Sequence, residues 1–96
     1  MAPPPGRADV SGFRRPDGVA AHLEEDRAFL ARVPEGPILV LDAVGGIIWE
    51  EALAGDRAGL ADRVAERTGA ESAEIHDLVE AFVRDLVNRG LLAERG

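Results

Sequence analysis

The chain has 96 residues, enough for one domain with a modest core, and it contains no cysteine, which excludes disulfides and thiolate metal sites. Eighteen acidic residues against eleven arginines give a net charge of −7, which argues against nucleic acid as a partner because phosphate binding needs a basic face. The N-terminus lacks a secretion signal, and no apolar run reaches the roughly 20 residues of a membrane span. These features predict a cytoplasmic protein that binds no membrane.

The N-terminal segment differs in composition from the rest of the chain. Residues 1–17 are rich in proline and glycine and offer little apolar surface to bury. We therefore predict a disordered tail over 1–17, one folded domain over 18–93 and a short C-terminal tail over 94–96.

Three short strands are predicted first. Apolar and other residues alternate over 19–23 and again over 27–33, which is the period of a half-buried strand. Glu25–Asp26 and the stretch 34–36 provide tight turns, and 37–41 (PILVL) is a third, apolar strand. The pattern indicates a small antiparallel sheet.

Three helices follow. Asp42 is a good N-cap for a first helix that ends near Gly55. A second helix covers 59–68, and the third and longest lies between Ser72, its predicted cap, and Gly90. The fold class is therefore α+β, with the order βββααα.

The third helix has a clear apolar stripe. Four residues form its predicted buried centre: Ile75, Val79, Phe82 and Leu86. Leu78 lies at one margin beside Asp85 and Arg89, whereas Val83 and Val87 lie at the other. The residues that follow, Leu91 and Leu92, are predicted to fold back as an apolar tail.

Two adjacent glycines, Gly45 and Gly46, occur early in the first helix. A glycine inside a helix costs about 0.5–1 kcal/mol relative to alanine, so a pair needs a reason. We interpret both as structural: they let another backbone, in the third helix or the sheet, come close. Trp49, on the same face as Gly45, then fills the space beyond.

The sequence contains no recognisable catalytic or metal-binding set. His22 and His76 have no third ligand at a suitable spacing, so we predict no metal, no cofactor and no enzyme activity. Acids recur along the third helix at Glu71, Glu74, Asp77 and Glu80. We interpret them as offsetting the helix dipole and keeping the domain in solution; a surface for basic peptide residues is the alternative.

The third predicted strand is apolar on both faces, although a three-stranded sheet normally leaves one face in water. Either both faces are covered by other elements, or the strand is an open edge that accepts a peptide strand, with Ile38 and Val40 helping to form pockets. The residues alone favour neither interpretation.

Two motifs resemble those of a known family. The string LDAVGGIIW at 41–49 resembles the LNxxGxxIW signature of the PqqD-like proteins, also called RiPP recognition elements. The string FVRDLVNRGLL at 82–92 resembles their closing FLxxLxxRGLL motif. The similarity extends over about 18–93. It departs at Asp42, where the family usually has Asn, and at Leu78, where many members have Asp.

The resemblance implies a winged-helix-like domain that binds the leader segment of a ribosomally made precursor peptide. The leader would add as a strand to the third predicted strand, in a cleft closed by the third helix. A separate enzyme, such as a radical SAM maturase or a leader peptidase, would then modify the peptide. The residues expected to contact the leader are Ile38, Leu39, Val40, Leu41, Leu78, Phe82, Asp85 and Arg89.

Two other functions fit the same element order. In a winged-helix DNA-binding regulator the third helix would enter the groove, but its acids would be repelled by the phosphate backbone. A scaffold that docks on an enzyme without binding peptide is the other possibility. With the resemblance, leader binding at the open edge is the favoured interpretation.

Overall fold

A computed structural model describes residues 12–95 of the chain. Its elements in chain order are β1 (Gly12–Arg14), β2 (Val19–Leu23), β3 (Arg27–Arg32), β4 (Ile38–Asp42), α1 (Ala43–Ala54), α2 (Leu60–Thr68), α3 (Ser72–Asn88) and β5 (Ala93–Arg95). The predicted order of three strands followed by three helices is confirmed, with one additional short strand at each end.

The main sheet has the strand order β2-β3-β4, and both neighbouring pairs are antiparallel. Leu30 of β3 lies opposite Ala21 on one side and Leu39 on the other. Because side chains alternate between the two faces of a strand, Leu30, Leu39 and Leu41 face the core. The strand that was predicted third in the sequence is β4, and it forms one edge of the sheet.

The two ends of the described chain pair with each other. β1 and β5 form an antiparallel ribbon in which Phe13 lies opposite Glu94. The Phe13 side chain is only 2% exposed, and the Arg57 guanidinium lies 5.2 Å from its ring centroid. The predicted disordered tail is therefore wrong for residues 12–14, and the predicted C-terminal tail is wrong for 94 and 95; residues 1–11 lie outside the described part.

Local signals define the helix ends, with one correction. The Asp42 carboxylate accepts a hydrogen bond of 2.8 Å from the Gly45 N–H and caps α1, as predicted. Gly69 and Gly90 follow α2 and α3 in the left-handed region that glycine favours. Ser72, however, is the first residue of α3 rather than its cap; its hydroxyl donates to Asp62, and Glu71 holds the cap position.

The buried face of α3 is shifted from the predicted one. Its buried residues are Ile75, Val79, Val83 and Leu86, and Val83 is completely inaccessible. Phe82, predicted at the centre of the stripe, is only half-buried at the edge of the core. The wheel position of a residue gives the direction of its side chain but not its surroundings, and Phe82 lines a cavity between α3 and the start of α1.

Candidate functional site

The free edge of β4 presents unpaired backbone groups. β4 pairs with β3 on one side, and it is the last strand in the sheet. In the part of the chain that the structure describes, no backbone hydrogen bond from a turn or loop satisfies residues 38–42. Buried backbone N–H and C=O groups need partners, so this edge is suited to a strand from another chain.

Helix α3 approaches the sheet region at two places. Near the C-terminal end of β4, the Phe82 ring lies so close to Gly45 at the start of α1 that an added Cβ would be 2.9 Å from it. At the other end, an Arg32 Nη1 atom lies 3.5 Å from the carbonyl oxygen of Gly90, just after α3. Since Ala31, beside Arg32, is paired with Ile38, α3 runs opposite in direction to β4.

A cavity of about 250 Å³ lies between the start of α1 and the middle of α3. It is lined by Asp42, Val44, Gly45, Ile48, Leu78 and Phe82. Leu78 is 53% exposed although it is a large aliphatic residue. We call the region between the β4 edge and the α3 residues 78–89, with this cavity at one end, the β4–α3 cleft.

The predicted polar residues lie farther along α3. Leu78, Phe82, Asp85 and Arg89 are spaced by four, three and four positions, so they share one face of the helix. The Arg89 Nε donates to the Asp85 carboxylate at 2.8 Å, and both side chains remain about half exposed. This ion pair lies outside the apolar cavity, toward the end of the cleft where Arg32 contacts Gly90.

β4 also has an uncovered outer face. Ile38 and Val40 are 68% and 56% exposed, and they continue the face that carries Phe29 and Ala31 of β3. Leu39 and Leu41, in contrast, face the core. The sequence left open whether other elements cover both faces of this strand; the described residues cover only the inner one.

The glycine pair has a different physical basis from the one predicted. A Cβ added to Gly45 would lie 2.9 Å from the Phe82 ring and 3.1 Å from the Leu41 Cβ, so the close neighbours are side chains rather than a backbone. A Cβ on Gly46 would meet only the Ala28 Cβ, at an ordinary 3.6 Å. Trp49 is buried as expected, at 2% exposure.

The eight residues named from the sequence fall into three groups, one of which is the exposed ion pair of Asp85 and Arg89. The structure places Leu78 and Phe82 directly in the cavity, and Ile38 to Leu41 along the edge strand. Val44, Gly45 and Ile48 also line the cavity but were not named as site residues. The sequence could have indicated these residues, because the Asp42 cap places the first turns of α1 directly after the edge strand.

The chemistry of the site suits binding. Within residues 12–95 no charged or polar side chain is buried, and no group of three His, Asp or Glu residues could hold a metal ion. No helix in that range is long and apolar enough to cross a membrane. The cleft offers backbone hydrogen-bonding groups, an apolar cavity and one exposed ion pair, which together can hold an extended peptide.

Comparisons with known proteins agree with this geometry. The sequence model of the family described as "Coenzyme PQQ synthesis protein D (PqqD)" matches residues 16–92. Among solved structures, the chain is similar to TbiB1 in complex with the TbiA(beta) leader peptide, with a TM-score of 0.71 and 26% sequence identity. The similarity covers 82% of this chain and 93% of that one. A search among curated proteins found no match.

Proposed function

The chain belongs to the PqqD family, and on this premise we propose that it binds the leader segment of a ribosomally made precursor peptide and presents it to a separate enzyme. The leader would add to the free edge of β4 as a further strand. The observation that carries the proposal is the unpaired β4 edge, which ends at Asp42 beside an apolar cavity that Leu78 and Phe82 of α3 also line.

The two parts of the cleft would have different tasks. Main-chain hydrogen bonds to β4 would supply affinity that depends little on the leader sequence. Alternate side chains of the added strand would point inward, toward Leu78 and Phe82, where apolar contacts select among leaders. The leader residues between them would lie beside Ile38 and Val40 on the outer face of the sheet.

The roles of the individual residues follow from their positions. Leu78 and Phe82 would contact an apolar leader side chain, and Leu39 and Leu41 would hold the edge strand on the core. Asp85 and Arg89 would border the cleft at its other end, where their ion pair is accessible to a polar leader residue. Leu78 gives an apolar contact where many family members have a carboxylate.

The protein itself would not be an enzyme. The cleft contains no nucleophile with an adjacent base, so the chemistry belongs to a partner. A maturase of the radical SAM class or a leader peptidase is the kind of partner we propose. The solved TbiB1 complex holds a leader peptide, which supports the same role for this chain.

An NMR titration tests the proposal. The probe is a synthetic leader of the cognate precursor peptide, and the control is the same residues in scrambled order. We expect amide shifts in 37–41 and 78–89 with the leader and none with the control. Shifts confined to 55–70 would contradict this placement even if the peptide binds.

A separate measurement addresses the DNA-binding alternative. The exposed face of α3 carries Glu74 and Asp77, and the chain as a whole is strongly acidic. We therefore expect no change in the fluorescence anisotropy of a labelled DNA duplex at physiological salt. Sequence-specific binding below the micromolar range would favour the regulator instead.

A further inference from the structure

A second cavity, of about 280 Å³, lies on the opposite side of the first turns of α1 from the β4–α3 cleft. We call it the Gly46 cavity, because Gly46 forms part of its wall. Its lining residues are Leu23, Glu24, Glu25, Arg27, Ala43, Gly46, Ile47, Glu50 and Arg67. Neither the sequence motifs nor the proposed strand addition accounts for it.

Packing does not explain why position 46 is glycine. A Cβ there would make one ordinary contact, 3.6 Å from Ala28, and the backbone is an ordinary helix without positive φ. Glycine in a helix interior nevertheless costs about 0.5–1 kcal/mol relative to alanine. The contrast with Gly45, where a Cβ would meet the Phe82 ring at 2.9 Å, is direct. What glycine does provide at position 46 is space in the cavity.

The charged groups around the cavity leave a negative excess. Both arginines are already paired: Arg67 lies 2.9 Å from Glu50 and 3.1 Å from Glu51, and Arg27 lies 3.4 Å from Asp26 and 3.8 Å from Glu24. The hydrogen bonds to these two glutamates raise the pKa of Arg67 above its usual value. Glu25 has no ion-pair partner within residues 12–95. Leu23, Ala43 and Ile47 supply the apolar part of the wall.

The cavity and the path of the added strand meet at the start of α1, while the turn between β2 and β3 forms the far wall of the cavity. Ala43, which lines it, directly follows Asp42, the last residue of β4. Val44 and Gly45, the next two residues, line the first cavity. A peptide that continues beyond the C-terminal end of β4 therefore meets the first turn of α1, with one cavity on each side of it. Three further residues of extended chain span about 10 Å.

From these observations we propose that the Gly46 cavity is a second recognition site, which takes an arginine or lysine side chain from the leader just beyond the segment paired with β4. The inference rests on the proposed leader binding. The aliphatic stem would lie against Leu23 and Ile47, and the cationic group would reach Glu25, the lining carboxylate without an ion-pair partner among the described residues.

Extended versions of the leader probe test this inference. Four peptides carry Gly-Ser-Arg or Gly-Ser-Gln at one end or the other of the β4-binding segment, so that either strand direction is covered. At the end that reaches the cavity, we expect the Arg peptide to bind about three- to tenfold more tightly than its Gln counterpart. One ion pair with a packed aliphatic stem gives an effect of this size. The advantage should decrease as salt is added.

Two variants locate the effect. Gly46→Leu fills the cavity and should abolish the Arg advantage without changing the affinity for the unextended segment. Gly46→Ala fits the available space and should retain the advantage. Equal affinities of the Arg and Gln peptides at both ends, or an advantage that persists in Gly46→Leu, would overturn this inference alone. If the unextended leader does not bind the unchanged protein, the proposed function fails and this inference fails with it.

Discussion

The two edges of the main sheet differ, although β2 and β4 each have five residues and a free side. β4 exposes Ile38 and Val40, and its last residue, Asp42, lines the cavity that Leu78 and Phe82 of α3 also line. β2 has small residues at its centre, and near its end the His22 Nε2 lies 3.2 Å from a Glu24 carboxylate oxygen. One edge is apolar beside a helix, and the other has charged groups at its end.

This difference identifies what makes an edge a binding site. Proteins usually protect exposed edges with charges, prolines, bulges or very short strands. The acidic turn Glu24–Asp26 provides charges at the end of β2, whereas β4 has a charged residue only at Asp42, which is engaged in capping α1. An unprotected edge would invite unwanted pairing, so the lack of protection at β4 is consistent with a specific partner strand.

Proline substitution at both edges gives the largest expected effect. Leu39→Pro and Val40→Pro each remove one N–H, and successive N–H groups point to opposite sides of a strand. One of the two variants therefore loses a hydrogen bond to β3 and is less stable. The other loses a hydrogen-bond donor to the leader. We expect leader binding to be abolished by both, measured by calorimetry beside thermal unfolding.

The matched controls are Ala20→Pro and Ala21→Pro on β2. The variant that keeps the thermal stability of the unchanged protein should also keep its leader affinity, because β2 is not the proposed edge. Undiminished binding to both β4 variants would show that the leader does not add to this strand.

The α1 side of the cleft is tested by Gly45→Val. The new side chain would crowd the Phe82 ring and Leu41, and overpacking of this kind destabilises a fold by about 1–3 kcal/mol. It would also occupy the cavity, so leader affinity should fall. Gly46→Ala is the neighbouring control and should raise stability by about 0.5–1 kcal/mol. An unchanged melting temperature for Gly45→Val would show that a side chain at position 45 does not crowd Phe82 and Leu41.

The α3 side should give a smaller effect on binding alone. Leu78→Ala and Arg89→Ala remove exposed side chains, so each should weaken leader binding by about 1–2 kcal/mol while stability hardly changes. Arg84→Ala removes an exposed arginine from the same helix but outside the row that faces the cleft. Equal losses for Arg84→Ala and Arg89→Ala would indicate a general charge effect rather than a contact.

The smallest effect concerns the acidic turn at the end of β2. A hydrogen bond from Arg27, together with its positive charge, lowers the pKa of Asp26 below its usual value. Because the folded-state pKa is the lower one, the stabilisation is present above the unfolded-state pKa of about 3.9 and is lost as the pH falls through the folded value. Asp26→Asn should thus be slightly less stable at neutral pH, and the difference should vanish in strong acid.

Several features of the fold could be predicted because they depend on nearby residues. Strand alternation identified β2 and β3, and the Asp42 cap and the glycines after α2 and α3 identified the helix ends. The motifs at 41–49 and 82–92 indicated the family, which the match over 16–92 confirms. Capping, turns and periodicity act within a few residues, so the order of the sequence expresses them directly.

Only the tertiary structure decided the remaining features, because they depend on residues far apart in the chain. Phe13 looked like part of a disordered tail until Glu94, at the opposite end, appeared as its partner in a ribbon. Phe82 had the wheel position of a core residue, yet it borders a cavity because the start of α1 and α3 leave space between them. The same Phe82 ring explains Gly45, because it comes from another helix and leaves no room for a Cβ at position 45. Periodicity gives the direction of a side chain, and packing between distant elements determines whether that direction leads to core or to open space.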